Sequence, residues 1–148
     1  MKTLDEMQQR LDTIRRRVDK DDKAVDYFEI EPSRKGDMDR DFKIKDNKYV
    51  LVESERGKIY NTREFESADE LVYHFTTVGI ASMVNHSGLG LGRMTIERLD
   101  EIRLAKLELM KQAMPEWVPR YKELLDKQHL RTVEIRERLN GQTPDASE

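Results

Sequence analysis

The sequence contains no cysteine. Disulfide bonds, thiolate metal sites and a cysteine nucleophile are therefore excluded. It also lacks a continuous apolar run near its start, because residues 1–20 alternate between charged and hydrophobic positions. That pattern is typical neither of a signal peptide nor of a membrane span. We therefore expect a cytoplasmic protein without a membrane segment.

Neither sign of charge is in excess. The 27 basic and 30 acidic residues are interleaved along the chain, which gives a formal net charge of −3. The one basic run, Arg15-Arg16-Arg17, has Asp12 and Asp19 within helical pairing distance. Such a balance offers no general surface for nucleic acid and no polybasic patch for anionic lipid. We expect neither kind of partner.

The first twenty residues carry the period of an amphipathic helix. Leu4, Met7, Leu11, Ile14 and Val18 follow each other at steps of three and four, which places them on one stripe. The same spacing suits a coiled-coil seam, but barely two heptads are present. The pattern therefore favours a helix packed on its own domain over a self-associating one.

From Ala24 to Phe65 the period changes to two, which predicts β-strands. We expect strands at 25–30, 42–45, 49–53 and 58–60. Asp46-Asn47 and Arg56-Gly57 are suitable for tight turns between the last three. The prediction is an antiparallel meander of about four strands, with one apolar and one wet face.

Helices are predicted after the strands. Ser67 and Glu70 form a capping box that starts a helix running to about Asn85, a second helix spans about Thr95 to Met114, and a third follows Pro115. The fold class is therefore α+β: an N-terminal helix, the meander, and three C-terminal helices packed on the sheet. With 148 residues we expect one domain over residues 1–139 and a disordered polar tail over 140–148.

Catalytic and metal-binding patterns have little support, and we expect neither enzyme activity nor a cofactor. The three histidines are not spaced as metal ligands, and no serine lies in a nucleophile elbow. Residues 36–41 match the beginning of a calcium loop, but Phe42 and Lys48 stand where the motif needs glycine and glutamate. The glycine-rich segment 88–92 follows a predicted helix instead of a strand, which favours a connector over a phosphate-binding loop.

Three segments together resemble the immunity protein 63 family of bacterial polymorphic-toxin systems. They are the strand and turn at 49–58, the start of a helix at 69–75, and a helix end at 107–110 with the Pro-Glu-Trp of 115–117. Asp100 and Arg103 match an acidic residue and an arginine at the start of the last helix of the pattern. His74 departs from it, since a larger aromatic is expected there. The resemblance covers about residues 24–125.

The resemblance implies a protein that binds a cognate toxin in the cytoplasm and blocks it. The tyrosines Tyr27, Tyr49 and Tyr60 are candidate anchors for that partner, with core packing as the alternative. Asp37, Asp39 and Asp41 form an acidic segment that could face a basic partner or only solvent. Arg56 is a further candidate contact or simply a turn residue. A small regulatory module that self-associates, for example as a homodimer, is the alternative function.

Overall fold

The computed structural model describes residues 1–31 and 38–142. The chain divides into two compact units, one from Met1 to Met83 and the other from Val84 onward. The described part contains four α-helices and a three-stranded antiparallel sheet. The predicted α+β class is confirmed, whereas the expected count of about four strands is wrong. The prediction of a single domain is not decided by this division.

The first helix, α1 (Leu4–Arg16), begins with a capping box formed by Thr3 and Glu6, which match the Thr-x-x-Glu pattern of such boxes. The Oγ1 of Thr3 accepts a hydrogen bond from the Glu6 amide at 3.1 Å, and the Thr3 amide donates to the Glu6 carboxylate at 3.2 Å. These bonds satisfy amides that a helix start leaves unpaired. The predicted stripe is buried in this unit at Met7, Leu11 and Ile14.

A buried ion pair closes the turn after α1. The Asp19 carboxylate accepts hydrogen bonds from the Arg15 guanidinium at 2.9 Å and from the amides of Lys23 and Ala24. Burial alone would raise the pKa of the Asp19 carboxyl, but these hydrogen bonds outweigh it and lower that pKa below its ordinary value. The Asp19 carboxylate, in its charged form, therefore holds the loop in place.

The segment predicted as the first strand is a short 3₁₀ helix, Val25–Phe28. Its alternation reflects two completely buried side chains, Phe28 and Ile30. The side-chain amide of Gln8 on α1 donates to the Phe28 carbonyl at 2.8 Å and accepts from the Ile30 amide at 2.9 Å. A side chain thus supplies the hydrogen bonds that a neighbouring strand would have supplied.

The sheet consists of β1 (Met38–Lys45), β2 (Lys48–Glu55) and β3 (Lys58–Phe65), in that order. Both connecting turns were predicted at the observed positions. Asp46 and Asn47 have φ of 54° and 60°, and Arg56 and Gly57 have φ of 51° and 81°. Two consecutive positive φ values are characteristic of the tight turn whose twist suits a β-hairpin.

Helix α2 (Ala68–Asn85) follows the sheet and begins where the capping residue predicts. The Ser67 hydroxyl accepts a hydrogen bond from the Glu70 amide at 3.1 Å. Its buried residues within the first unit include Leu71, Val72, Phe75 and Ile80. Gly79 lies directly against the Phe28 ring.

The second unit contains α3 (Ile96–Ala113), a 3₁₀ turn (Pro115–Trp117) and α4 (Val118–Gln142). The Arg103 guanidinium joins the two helices, since it contacts Asp100 on α3 and Asp126 on α4, each at 2.7 Å. Helix α4 continues past the predicted start of the tail at Asn140, and residues 143–148 lie outside the described part. The packing of the C-terminal helices on the sheet stays a prediction.

Candidate partner-binding surface

The strands expose their two faces unequally. Side chains that pair across the strands share a face, so Tyr49 and Leu51 of β2 lie with Phe42 of β1 and Phe65 of β3. This face is the covered one, because Tyr49 and Leu51 are buried and Phe65 packs against His74 of α2, with ring centroids 5.3 Å apart. Further along β2 the same face carries Glu53, where the apolar core ends.

The Glu53 carboxylate accepts three hydrogen bonds from side chains of β3. Its Oε1 accepts from Asn61 Nδ2 at 3.2 Å and from Arg63 Nε at 3.1 Å, and its Oε2 accepts from the Tyr60 hydroxyl at 3.2 Å. The Glu53 side chain is only 21% exposed, whereas Tyr60 and Arg63 extend to solvent. One carboxylate therefore fixes the direction of an exposed tyrosine and an exposed arginine.

A β-bulge explains why Tyr60 reaches Glu53. Asn61 lies opposite Glu53, but Ile59 lies opposite the next residue, Ser54, so that Tyr60 is an additional residue on β3. A bulge redirects the side chain of the inserted residue and strengthens the local twist, and bulges are frequent on edge strands. The register thus turns Tyr60 toward the Glu53 side of the sheet and leaves Ile59 on the other side.

The exposed residues around this bulge lie in the turn and on both sides of β3, and we call them together the hairpin surface: Arg56, Ile59, Tyr60 and Arg63. Ile59 is 68% exposed and Tyr60 53%. Partial desolvation, followed by the adjacent Glu53 carboxylate, raises the pKa of the Tyr60 hydroxyl. The tyrosine is therefore a neutral hydrogen-bond donor at physiological pH. An amphipathic ring, an aliphatic side chain and two guanidinium groups are the residue types that protein interfaces favour.

The outer edges of the sheet, along β1 and along β3, also differ in how far they are occupied. The β1 edge is occupied near its centre, where the Phe42 amide donates to the Glu31 carboxylate at 3.1 Å. Arg40 adds to this by donating to the carbonyls of Glu29 and Ile30 at 2.9 and 3.2 Å. No described element pairs with the outer edge of β3. An open edge presents backbone donors and acceptors to a partner.

His74 lies on α2, on the side of the sheet that carries Phe65 and Arg63. Its ring packs against Phe65 and, edge to face, against Phe75 at 5.1 Å. Burial is the main cause that lowers the pKa of His74, and the positive charge of Arg63 and Arg40 adds to it while Glu53 opposes it. The half-buried ring is therefore a packing element in the place of the larger aromatic that the resemblance implies.

The structure separates the predicted contact residues. Tyr60 and Arg56 lie on the hairpin surface. Tyr49 is 2% exposed, and its hydroxyl donates to the Lys2 carbonyl at 3.1 Å, so its ring belongs to the core and we leave it out of the surface. Tyr27 lies half-buried on the 3₁₀ helix instead of a strand.

The acidic segment is divided as well. Asp39 and Asp41 lie on β1, opposite Ser54 and Val52, and both are half-buried. One oxygen of Asp39 is buried and accepts no hydrogen bond from the described residues. Asp37 falls outside the described residues. At Asp39 and Asp41 the acidic segment is therefore a strand instead of a solvated loop.

Other motifs have mainly structural contacts. In the glycine-rich segment the carbonyls of Gly88 and Leu89 accept from the Arg98 guanidinium, so these groups bind a cation of the chain itself. Over residues 1–31 and 38–142, no three His, Asp or Glu side chains converge as a metal site would require. Within the same ranges, no helix has the length and apolarity needed to cross a bilayer.

Sequence and structure comparisons give no relative from which a role could be transferred. No protein-family model, curated protein or solved structure matches this chain. The case for a function therefore depends on the residues of the hairpin surface and on the resemblance of the three sequence segments.

Proposed function

We propose that the protein is an immunity protein, which binds a cognate polymorphic toxin in the cytoplasm and neutralises it through the hairpin surface. The observation that carries the proposal is the exposed Tyr60, which the bulge and the Glu53 carboxylate orient beside the open edge of β3. The resemblance to the immunity protein 63 family supports it, since Arg56 belongs to the turn in that pattern.

The mode of binding follows from the edge. A strand of eight residues is about 26 Å long, which is enough for an extended segment of the toxin to pair along β3. Main-chain hydrogen bonds would supply affinity, and Ile59 and Tyr60 on opposite sides of the sheet would supply specificity. Tyr60 is already held by Glu53, so that little of its rotamer entropy is lost on binding.

Growth rescue tests the proposal. The toxin-like open reading frame next to this gene is expressed alone and together with the intact protein. The proposal predicts that co-expression restores growth and that the two proteins co-purify. Unchanged killing in the presence of folded protein would reject it.

Variants locate the contact. Tyr60→Ala removes the anchor, and we expect about 30-fold weaker binding, since hot-spot tyrosines contribute about 2 kcal/mol. Ile59→Asp tests the other side of the strand. Leu104→Asp is the matched control, because Leu104 is an exposed aliphatic residue on α3, 52% exposed, and does not belong to the hairpin surface. If the intact protein rescues growth and all three variants lose toxin binding equally, the contact lies elsewhere.

A self-associating module remains the second candidate because of α4. The stripe on α1 is buried in its own unit and does not favour this candidate, but α4 exposes several aliphatic side chains: Leu124, Leu130, Ile135 and Leu139. Sedimentation of the wild type and of the Leu130→Asp variant measures self-association. A dimer that the substitution dissociates would favour self-association over toxin binding.

A further inference from the structure

The groove between α3 and α4 contains a cation that no described side chain neutralises. Lys106 of α3 is half-buried there, and it makes no hydrogen bond or ion pair with any described residue. Burial lowers the pKa of its ammonium group. A half-buried ammonium without an anionic partner is costly, so an anion that entered the groove would stabilise it.

The two carboxylates that contact the lining residue Arg103 are already engaged. Asp100 and Asp126 both contact Arg103, and Asp126 also contacts Lys122 at 2.6 Å. Arg103 at the groove is therefore balanced by its own partners, whereas Lys106 is not. The groove has no acidic lining residue, and its net charge is positive.

The remaining lining residues define the shape of a ligand. The lining includes hydrogen-bonding side chains from α4, His129 and Gln128, and apolar side chains from both helices, Leu99 and Ile102 of α3 and Leu125 of α4. The volume is about 140 Å³. A cavity of about 150 Å³ holds a molecule the size of benzene. The space therefore fits an anion that carries a small apolar body.

We propose that the α3–α4 groove binds a small organic carboxylate, with its anionic end at Lys106 and its apolar body against Leu99, Ile102 and Leu125. His129 and Gln128, which also line the groove, provide further polar contacts. An inorganic anion would leave the apolar side chains of the lining wet, so the apolar body contributes to selectivity. The site is independent of the hairpin surface, and toxin binding does not require it.

Benzoate is the probe, measured by amide chemical shifts of the full chain. We expect saturable binding with a Kd of about 1–10 mM, with shifts confined to α3 and α4 around the groove. Benzyl alcohol, which has the ring without the charge, and inorganic phosphate, which has the charge without the ring, should each bind at least tenfold more weakly. Equal binding of either one would overturn the proposal.

The variant Lys106→Met retains the apolar stem of the side chain and removes the charge. We expect it to weaken benzoate binding about tenfold or more. Lys111→Met, at an exposed position on the same helix, is the control and should bind as the wild type does. Because removal of a half-buried charge does not threaten the fold, the amide spectrum of Lys106→Met should stay native-like. Unchanged affinity in Lys106→Met, or shifts that map outside the groove, would contradict the assignment.

Discussion

The contact between Gly79 and Phe28 gives the sharpest prediction about the fold. A Cβ atom built on Gly79 would lie 2.4 Å from Cε1 and 2.5 Å from both Cδ1 and Cζ of the Phe28 ring. Carbon atoms in contact are normally separated by about 3.5–4.0 Å. The ring would have to move by about 1 Å, and Phe28 is completely buried, so in a close-packed core its neighbours would have to move with it.

Two effects of Gly79→Ala therefore oppose each other. Alanine is the better helix former by about 1 kcal/mol, which favours the variant. Forcing a methyl group into a packed core costs about 1–3 kcal/mol, and three ring atoms at such short distances place this site at or above the upper end. We expect a net loss of about 2 kcal/mol in the free energy of unfolding.

Urea unfolding followed by far-ultraviolet circular dichroism measures this loss. Gly88→Ala is the control, because nothing lies within 4 Å of its added Cβ; its change should stay within about 0.5 kcal/mol. Phe28→Leu should relieve the clash, so the double variant with Gly79→Ala should lose about 1 kcal/mol less than the sum of the single variants. A Gly79→Ala protein as stable as the wild type, or more stable, would refute the packing of α2 on the 3₁₀ helix.

Three further predictions concern single side chains of the first unit. Asp19→Asn should reduce the free energy of unfolding by about 3 kcal/mol at neutral pH, because it leaves the buried Arg15 charge with only one partner. The folded-state pKa of Asp19 is lowered, so the stability that Asp19 contributes is present above the unfolded pKa of about 3.9 and is lost as the pH falls through the folded value. Acid titration of both proteins should show that the stability of the variant depends less on pH. Identical curves would contradict this. The folded-state pKa of His74 is also lowered, so the wild type should lose stability as the pH falls below about 6.5, where the unfolded chain takes up the proton first. His74→Phe should remove that loss in melts at pH 5 and pH 8, and an equal decrease in both proteins would show that the ring is not the cause. Asn47→Gly should stabilise the β1–β2 turn by about 0.5–1 kcal/mol, because glycine has no steric cost at φ of 60°; a lower urea midpoint would argue against this turn geometry.

Local signals predicted the parts of the fold that local chemistry determines. Ser67 begins α2, as its capping side chain indicated, and α3 begins next to Thr95, about where the second helix is predicted. Both hairpin turns were found because residues that tolerate positive φ, Asp46-Asn47 in the first turn and Gly57 in the second, interrupt alternating segments. Pro115 ends α3 for the reason that proline normally ends a helix.

The missed strand depended on a contact distant in sequence. Phe28 and Ile30 alternate with polar residues as in a strand, and only the two hydrogen bonds from Gln8, 20 and 22 residues away, satisfy this backbone without a neighbouring strand. No local pattern contains that information. β3 also runs to Phe65, past the predicted Tyr60, because its polar residues Asn61 and Arg63 pair with Glu53.

The candidate surface was partly predictable for the same reason. Tyr60 and Arg56 are both exposed, and their role as contacts stays a prediction. Tyr49 has the same residue type, but the strand pairing turns it into the core beside Phe42, with ring centroids 5.9 Å apart. The bulge at Tyr60 and the role of Glu53 depend on the register of β2 with β3. A local sequence pattern does not contain that register.

Hydrogen exchange on the complex with the toxin encoded next to this gene tests the central claim most directly. The account predicts that amides of β3, Lys58–Phe65, become protected when the toxin binds, and that Tyr60→Ala loses both this protection and the rescue of growth. A complex that forms with β3 exchanging as in the free protein would contradict the account.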